Sequence, residues 1–139
     1  MIVVADASVA LKWFFRTRAD EADVGAALKL LAGVADGSVV LLEPPHFIAE
    51  VAAVLAREAP LTATSDLRDL LALNIRIEVE PSVYERAVVL ATRHKHHLFD
   101  TLYHALALAT PGATLVTADE AYRRRAHGEG AIMRLADFE

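Results

Sequence analysis

The sequence predicts an α/β protein: a three-layer α/β/α sandwich around a central, mainly parallel sheet. Two observations predict it. Short runs of β-branched and aliphatic residues alternate with longer helical patterns along the whole chain, and strands alternating with helices imply parallel strands joined by crossovers. The segment HALALA, starting at His104, is apolar nearly all round, the mark of a helix buried against a sheet.

In chain order, strands are expected at Ile2–Ala5, Val39–Leu42, Ile75–Val79, Thr114–Thr117 and Ile132–Leu135. Helices are expected between them, at Ser8–Phe15, Asp20–Ala35, Pro45–Glu58, Thr64–Leu73, Ser82–His96, Phe99–Ala109 and Asp119–His127. Pro44-Pro45, Pro60, Pro81 and Pro111-Gly112 punctuate the pattern at loop or helix-start positions. There is no internal repeat, low-complexity tract or linker, so residues 1–139 read as a single domain.

Hydrophobic residues make up 55% of the chain, and the mean hydropathy is +0.33, high for a soluble protein of this size. Charges interrupt every apolar run before it reaches the ~20 residues of a spanning helix. The opening MIVVADASVALKWFF is broken by Asp6 and Lys12 and lacks the basic start and cleavage site of a signal peptide. The apolar excess therefore points to a protein interface: a homodimer, a partner protein, or both. With no cysteine, disulfides and thiolate metal sites are excluded and a cytoplasmic location is the default. The net charge of −5 argues against a general nucleic-acid binder, which is usually basic. It leaves a nuclease open, because clustered acids are counted together with the cation they bind.

Four acids stand out. Asp6 directly follows one apolar strand, and Asp119 follows another, two residues beyond Thr117. In an open parallel sheet the crevice beyond the carboxyl ends of the strands is where ligands bind, so both acids point to one region. Each also has a plain structural explanation: Asp6 as the cap of the helix that follows, and Thr117-Ala118-Asp119-Glu120 as a capping box with Thr117 as cap. Glu50 lies on the stripe formed by Phe47, Val51, Val54 and Leu55, three residues after Phe47 and four before Val54. A carboxylate there needs a cation or a dense set of donors; a salt bridge to an arginine is the plain alternative. Asp100 opens the helix FDTLYHALALA in apolar surroundings, where the helix dipole alone also favours an acid. An all-oxygen ligand set suits Mg²⁺ or Mn²⁺ better than zinc, and such cations suit phosphodiester hydrolysis.

The segments VVADASVALKWF, PPHFIAEVAAVL, FDTLYHALA and TLVTADE, in this order, resemble the PIN-domain ribonucleases, and among them the VapC-type toxins of bacterial toxin–antitoxin pairs. The resemblance runs from Ile2 to about Leu135. It implies an α/β/α fold with a parallel sheet, a site for one or two Mg²⁺ or Mn²⁺ ions, endonucleolytic cleavage of RNA, a cognate antitoxin whose tail covers the site, and a dimer. The family's acids fall on Asp6, Glu50, Asp100 and Asp119, and its supporting hydroxyls on Ser8 and Thr117. Ala5 departs slightly from the larger aliphatic residues frequent at its position.

Lys12, four residues after Ser8, and Arg123 and Arg124, on the helix after Asp119, are candidate RNA contacts. The run His94-Lys95-His96-His97 reads as cationic residues at a helix C-terminus, His104 as a satisfied interior histidine, and Trp13, Phe14 and Phe15 as core or interface. A phosphatase or dehalogenase with a strand-end nucleophile is disfavoured because Ser8 stands where such enzymes carry a second Asp. A nucleotide-binding module lacks its Gly-rich phosphate loop. The remaining rival is a non-catalytic module that binds RNA or a partner.

Overall fold

Strand β1 (Ile2–Ala5) has no polar residue because little of its surface meets water: Val3, Val4 and Ala5 are fully buried and Ile2 is partly so. A strand covered on both faces gains nothing from alternation. The computed structural model describes residues 1–139 and places this strand at the centre of a five-stranded parallel sheet. Its neighbours are β2 (Val40–Glu43), β3 (Ile75–Ile77), β4 (Ala113–Thr117) and β5 (Ile132–Arg134), in the order β3-β2-β1-β4-β5.

Seven helices connect them: α1 (Ala7–Phe14), α2 (Val24–Asp36), α3 (His46–Glu58), α4 (Ala63–Leu71), α5 (Pro81–His94), α6 (Leu98–Ala109) and α7 (Glu120–Ala126). Right-handed crossovers dictate their layers. From β1 the chain moves through β2 to β3 in one direction, which puts α1 to α4 on one face. It then crosses back to β4 and continues to β5, which puts α5, α6 and α7 on the other. The result is the three-layer sandwich. Between β1 and β4 the connections leave in opposite directions, and this switch opens a crevice beyond the strands' carboxyl ends.

Helix α6 lies over β1 and β4, and every residue from Thr101 to Ala107 is buried, as an all-round apolar helix requires. Trp13 and Phe15 are buried and Phe14 is partly so; the Trp13 indole N–H donates to the Ala27 carbonyl at 2.8 Å and ties α1 to α2. No helix is long and apolar enough to cross a membrane.

Most of the expected limits shift by one or two residues, β3 and α4 each ending two residues early, and three further shifts stand out. Helix α2 starts at Val24 rather than Asp20, because Asp23 adopts a left-handed backbone (φ 55°) that cannot lie inside a helix. Strand β2 extends to Glu43. Helix α5 stops at His94, where Lys95 turns left-handed (φ 50°), so His96 and His97 belong to the connection before α6.

Leu41, fully buried in β2 beside the central strand, tests this core. Leu41→Ala is expected to cost about 2–5 kcal/mol, read in urea as a lower midpoint with an unchanged m-value.

Candidate metal centre at the carboxyl edge of the sheet

Asp6 follows β1 and caps α1: its Oδ1 accepts the Val9 amide at 3.4 Å and the Ser8 hydroxyl. Its other oxygen accepts the hydroxyl of Thr117, the last residue of β4 and 111 positions away. The same Thr117 oxygen accepts the Asp119 amide at 3.0 Å. One hydroxyl thus joins the two strand-end acids. Asp119 is itself the cap of α7, accepting the Tyr122 amide at 2.9 Å. The capping-box expectation is therefore corrected: Thr117 ends a strand and serves the acids, and the helix is capped two residues later.

Asp100 sits in the first turn of α6, where the helix dipole favours an anion. Its surroundings are wetter than expected: the side chain is 44% exposed, and Leu98 and Phe99 before it are exposed. Glu50 faces the crevice from the middle of α3, and its partner is Tyr103 of α6, not an arginine. The Tyr103 hydroxyl donates to Glu50 Oε2 at 2.6 Å, and burial first, then this bond to a carboxylate, pushes the phenol up. His46 packs on the Tyr103 ring, with its Nε2 3.8 Å from Glu50.

Asp6, Glu50, Asp100 and Asp119 line one cavity of about 190 Å³ together with Ala7, Ser8, Leu115 and Tyr122. Larger grooves exist, such as one of about 370 Å³ lined by Trp13, Leu31 and Leu70, but it holds only Asp66 and Asp69 as acids. Chemistry rather than volume singles out the smaller cavity. No lysine or arginine is paired with any of its four carboxylates; only His46 and His96 approach them. Burial pushes the Asp6 carboxyl up to about 6, against the lowering effect of Ser8 and Thr117, and the charge of Asp100 adds to the rise. Four carboxylates gathered without a fixed cation, one of them reluctant to ionise, are the donor set that a hard divalent cation fits.

Lys12 lies outside this cavity. Its ammonium is largely buried and paired to Glu21 at 3.1 Å. Arg123 is partly buried and Arg124 is exposed, both on α7. His104 is the satisfied interior histidine expected; its Nε2–H donates to Gly130 O at 2.8 Å and its Nδ1 accepts from the Tyr122 hydroxyl at 2.9 Å. Burial pushes its pKa down.

Sequence reasoning missed two residues. His96, read as part of a helix end, leaves the helix and reaches Asp100 Oδ2 at 2.9 Å. Glu43 is fully buried at the end of β2. Its Oε1 accepts the Ala5 amide, one residue before Asp6, at 2.8 Å, and its Oε2 has no partner. Desolvation pushes the Glu43 carboxyl well above the usual range, opposed by the Ala5 bond and reinforced by Asp6. A signal existed: Glu43 ends an apolar strand just as Asp6 follows one.

The PIN domain family model matches residues 3–128. The chain belongs to the PIN domain family. PIN domains are generally nucleases and typically use divalent metals. Two solved structures share the fold. PAE2754 from Pyrobaculum aerophilum is 17% identical, with a TM-score of 0.66 over 97% of this chain and 90% of that one. VapC20 from Mycobacterium tuberculosis, described as a sarcin-ricin loop cleaving toxin, is 21% identical, with a TM-score of 0.62 over 88% of this chain and 93% of that one. A comparison with curated proteins returned no match.

The raised carboxyls make stability depend on pH with a definite sign. Unfolded, Asp6 ionises near 3.8, and folded near 6, so the folded state holds the proton more tightly in that window. Stability of the metal-free PIN domain is therefore expected to fall as pH rises through it, and Glu43 extends the fall above pH 4.5. Glu43→Gln, which keeps the acceptor for Ala5 but has no charge to desolvate, is expected to raise Tm at pH 8 by about 3 °C or more. At pH 4 its Tm should match the parent's. A Tm loss at pH 8 would show that Glu43 is used as a charged group.

Proposed function

We propose that this PIN domain, formed by residues 1–139 as one unit, is a Mg²⁺- or Mn²⁺-dependent endoribonuclease. In this reading it is the toxin of a VapC-type toxin–antitoxin pair, acting in the cytoplasm as a homodimer and restrained by a cognate antitoxin. The observation that carries the reading is the cavity in which Asp6, Glu50, Asp100 and Asp119 converge with no lysine or arginine to neutralise them. The fold shared with VapC20, a toxin that cleaves the sarcin-ricin loop, favours RNA as the substrate.

Asp6 and Asp119 are the direct ligands, and Glu50 and Asp100 complete the set or act through water. Ser8 and Thr117 hold the Asp6 carboxylate in one orientation, which is the role of hydroxyls that support metal ligands. The bound cation supplies an activated water and neutralises charge on the phosphate, so none of the acids need be a separate general base. Arg123 and Arg124, on the helix that Asp119 caps, contact the RNA backbone. The exposed apolar side chains of Tyr84, Val88 and Val89 on α5 supply surface for subunit association.

Asp6→Asn keeps the caps and removes the charge. It is expected to reduce RNA cleavage by more than the about 10–100-fold that loss of a mere supporting partner costs, with an unchanged circular dichroism spectrum. Protein freed of any co-purified antitoxin should cut a total RNA pool with Mn²⁺ and leave it intact with a chelator. Identical RNA patterns in both tubes would mean that the domain binds RNA or a partner without catalysis.

A further inference from the structure

Of the two imidazoles near the candidate metal centre, His96 comes closer to the acids than His46. His96, in the connection between α5 and α6, places its Nε2 2.9 Å from Asp100 Oδ2 and 3.7 Å from Asp119 Oδ2. The ligand atoms of these three residues all lie within 4.8 Å of one another. On distance alone they form a metal site with one imidazole and two carboxylates.

The partner on the far side of the ring argues otherwise. On the far side of the ring, Arg125 Nη2 lies 2.5 Å from His96 Nδ1. A guanidinium has only donors, so Nδ1 must offer its lone pair. The ring proton then sits on Nε2, the nitrogen that faces the carboxylates. The ring plane is held as well: it lies on Tyr122 with centroids 4.5 Å apart and a tilt of 32°. Tyr122 is in turn fixed through Asp119 and His104.

We propose that His96 is a positioning residue: as the Nε2–H tautomer fixed by Arg125, it donates to Asp100 Oδ2 beside Asp119 and is not itself a metal ligand. This rests on the reading that these acids hold the cation. His96 takes one lone pair of Asp100 Oδ2, and the Tyr122 amide takes one of Asp119 Oδ1. Asp100 Oδ1 and Asp119 Oδ2 are thereby left as the atoms for the ion. Carboxylate ligands held by such partners bind metal about 10–100-fold more tightly than unsupported ones.

The test uses the full chain freed of metal. Mn²⁺ affinity is measured by calorimetry, and the Mn²⁺-loaded protein is examined by pulsed electron paramagnetic resonance. Thermal melts check that each variant folds. His96→Ala is expected to weaken Mn²⁺ binding about tenfold or more, and His96→Gln, whose amide N–H reaches a similar point, to recover most of it. Arg125→Ala, on an exposed side chain, is expected to give a smaller loss and to carry the test should His96→Ala not fold. The parent protein should show no directly bound nitrogen. A strong nitrogen coupling that disappears in His96→Ala would make His96 a ligand and overturn the proposal. Unchanged affinity in His96→Ala, a Gln variant as weak as Ala, or unchanged affinity in Arg125→Ala would also overturn it. Failure of the parent to bind Mn²⁺ at all would instead overturn the metal reading itself, and this inference with it.

Discussion

The molecule is organised around mutual repulsion at one edge of its sheet. Asp6, Glu50, Asp100 and Asp119 share one cavity with no lysine or arginine beside them. Helix N-termini offset part of the cost. Asp6 caps α1, Asp119 caps α7, and Asp100 lies in the first turn of α6. Each of the three acids meets the positive end of a helix dipole and, at the two caps, a free backbone amide. Glu50, in mid-helix, has no such help and uses the Tyr103 hydroxyl instead. The offset is incomplete: burial above all, with a smaller push from the Asp100 charge, holds the Asp6 carboxyl up to about 6. A site so built is stable enough to fold and still short of positive charge, the condition under which a divalent cation binds.

The capping and ligand readings of the two strand-end acids are therefore compatible. A carboxylate has about four lone-pair sites. Capping uses one oxygen of Asp6 and one of Asp119, leaving capacity for a further partner. Thr117 couples the two, donating to Asp6 and accepting from the Asp119 amide. Its position at the end of β4, next to β1, follows from the parallel register that pairs Ala5 with Val116. Glu43 acts from the other side of β1, where its side chain supplies an acceptor for Ala5. The segment carrying Asp6 is thus held from both neighbouring strands, which gives the least ionisable acid of the cluster a fixed place.

Much of this was readable in the chain itself. Alternating strand and helix patterns determined the layers, because each segment's period states which of its faces is buried. The apolar run of α6, the interior role of His104 and the strand-end positions of Asp6 and Asp119 are likewise local facts. So is the presence of the four acids. Tertiary structure decided how each acid is served and which neighbours join it. The Asp100 environment read as dry because its helix is apolar, yet that helix begins at the surface and its first turn is wet. Lys12 shares a helix side with Ser8 and still turns to Glu21, a pairing no local pattern announces. A left-handed residue at Lys95 ends α5 two residues early and delivers His96 to the acids. Glu43 is buried only because β2 continues one residue further than its apolar run. The common reason is range: periodicity reports which side of an element faces inward, whereas the partner of a polar atom depends on where distant elements end.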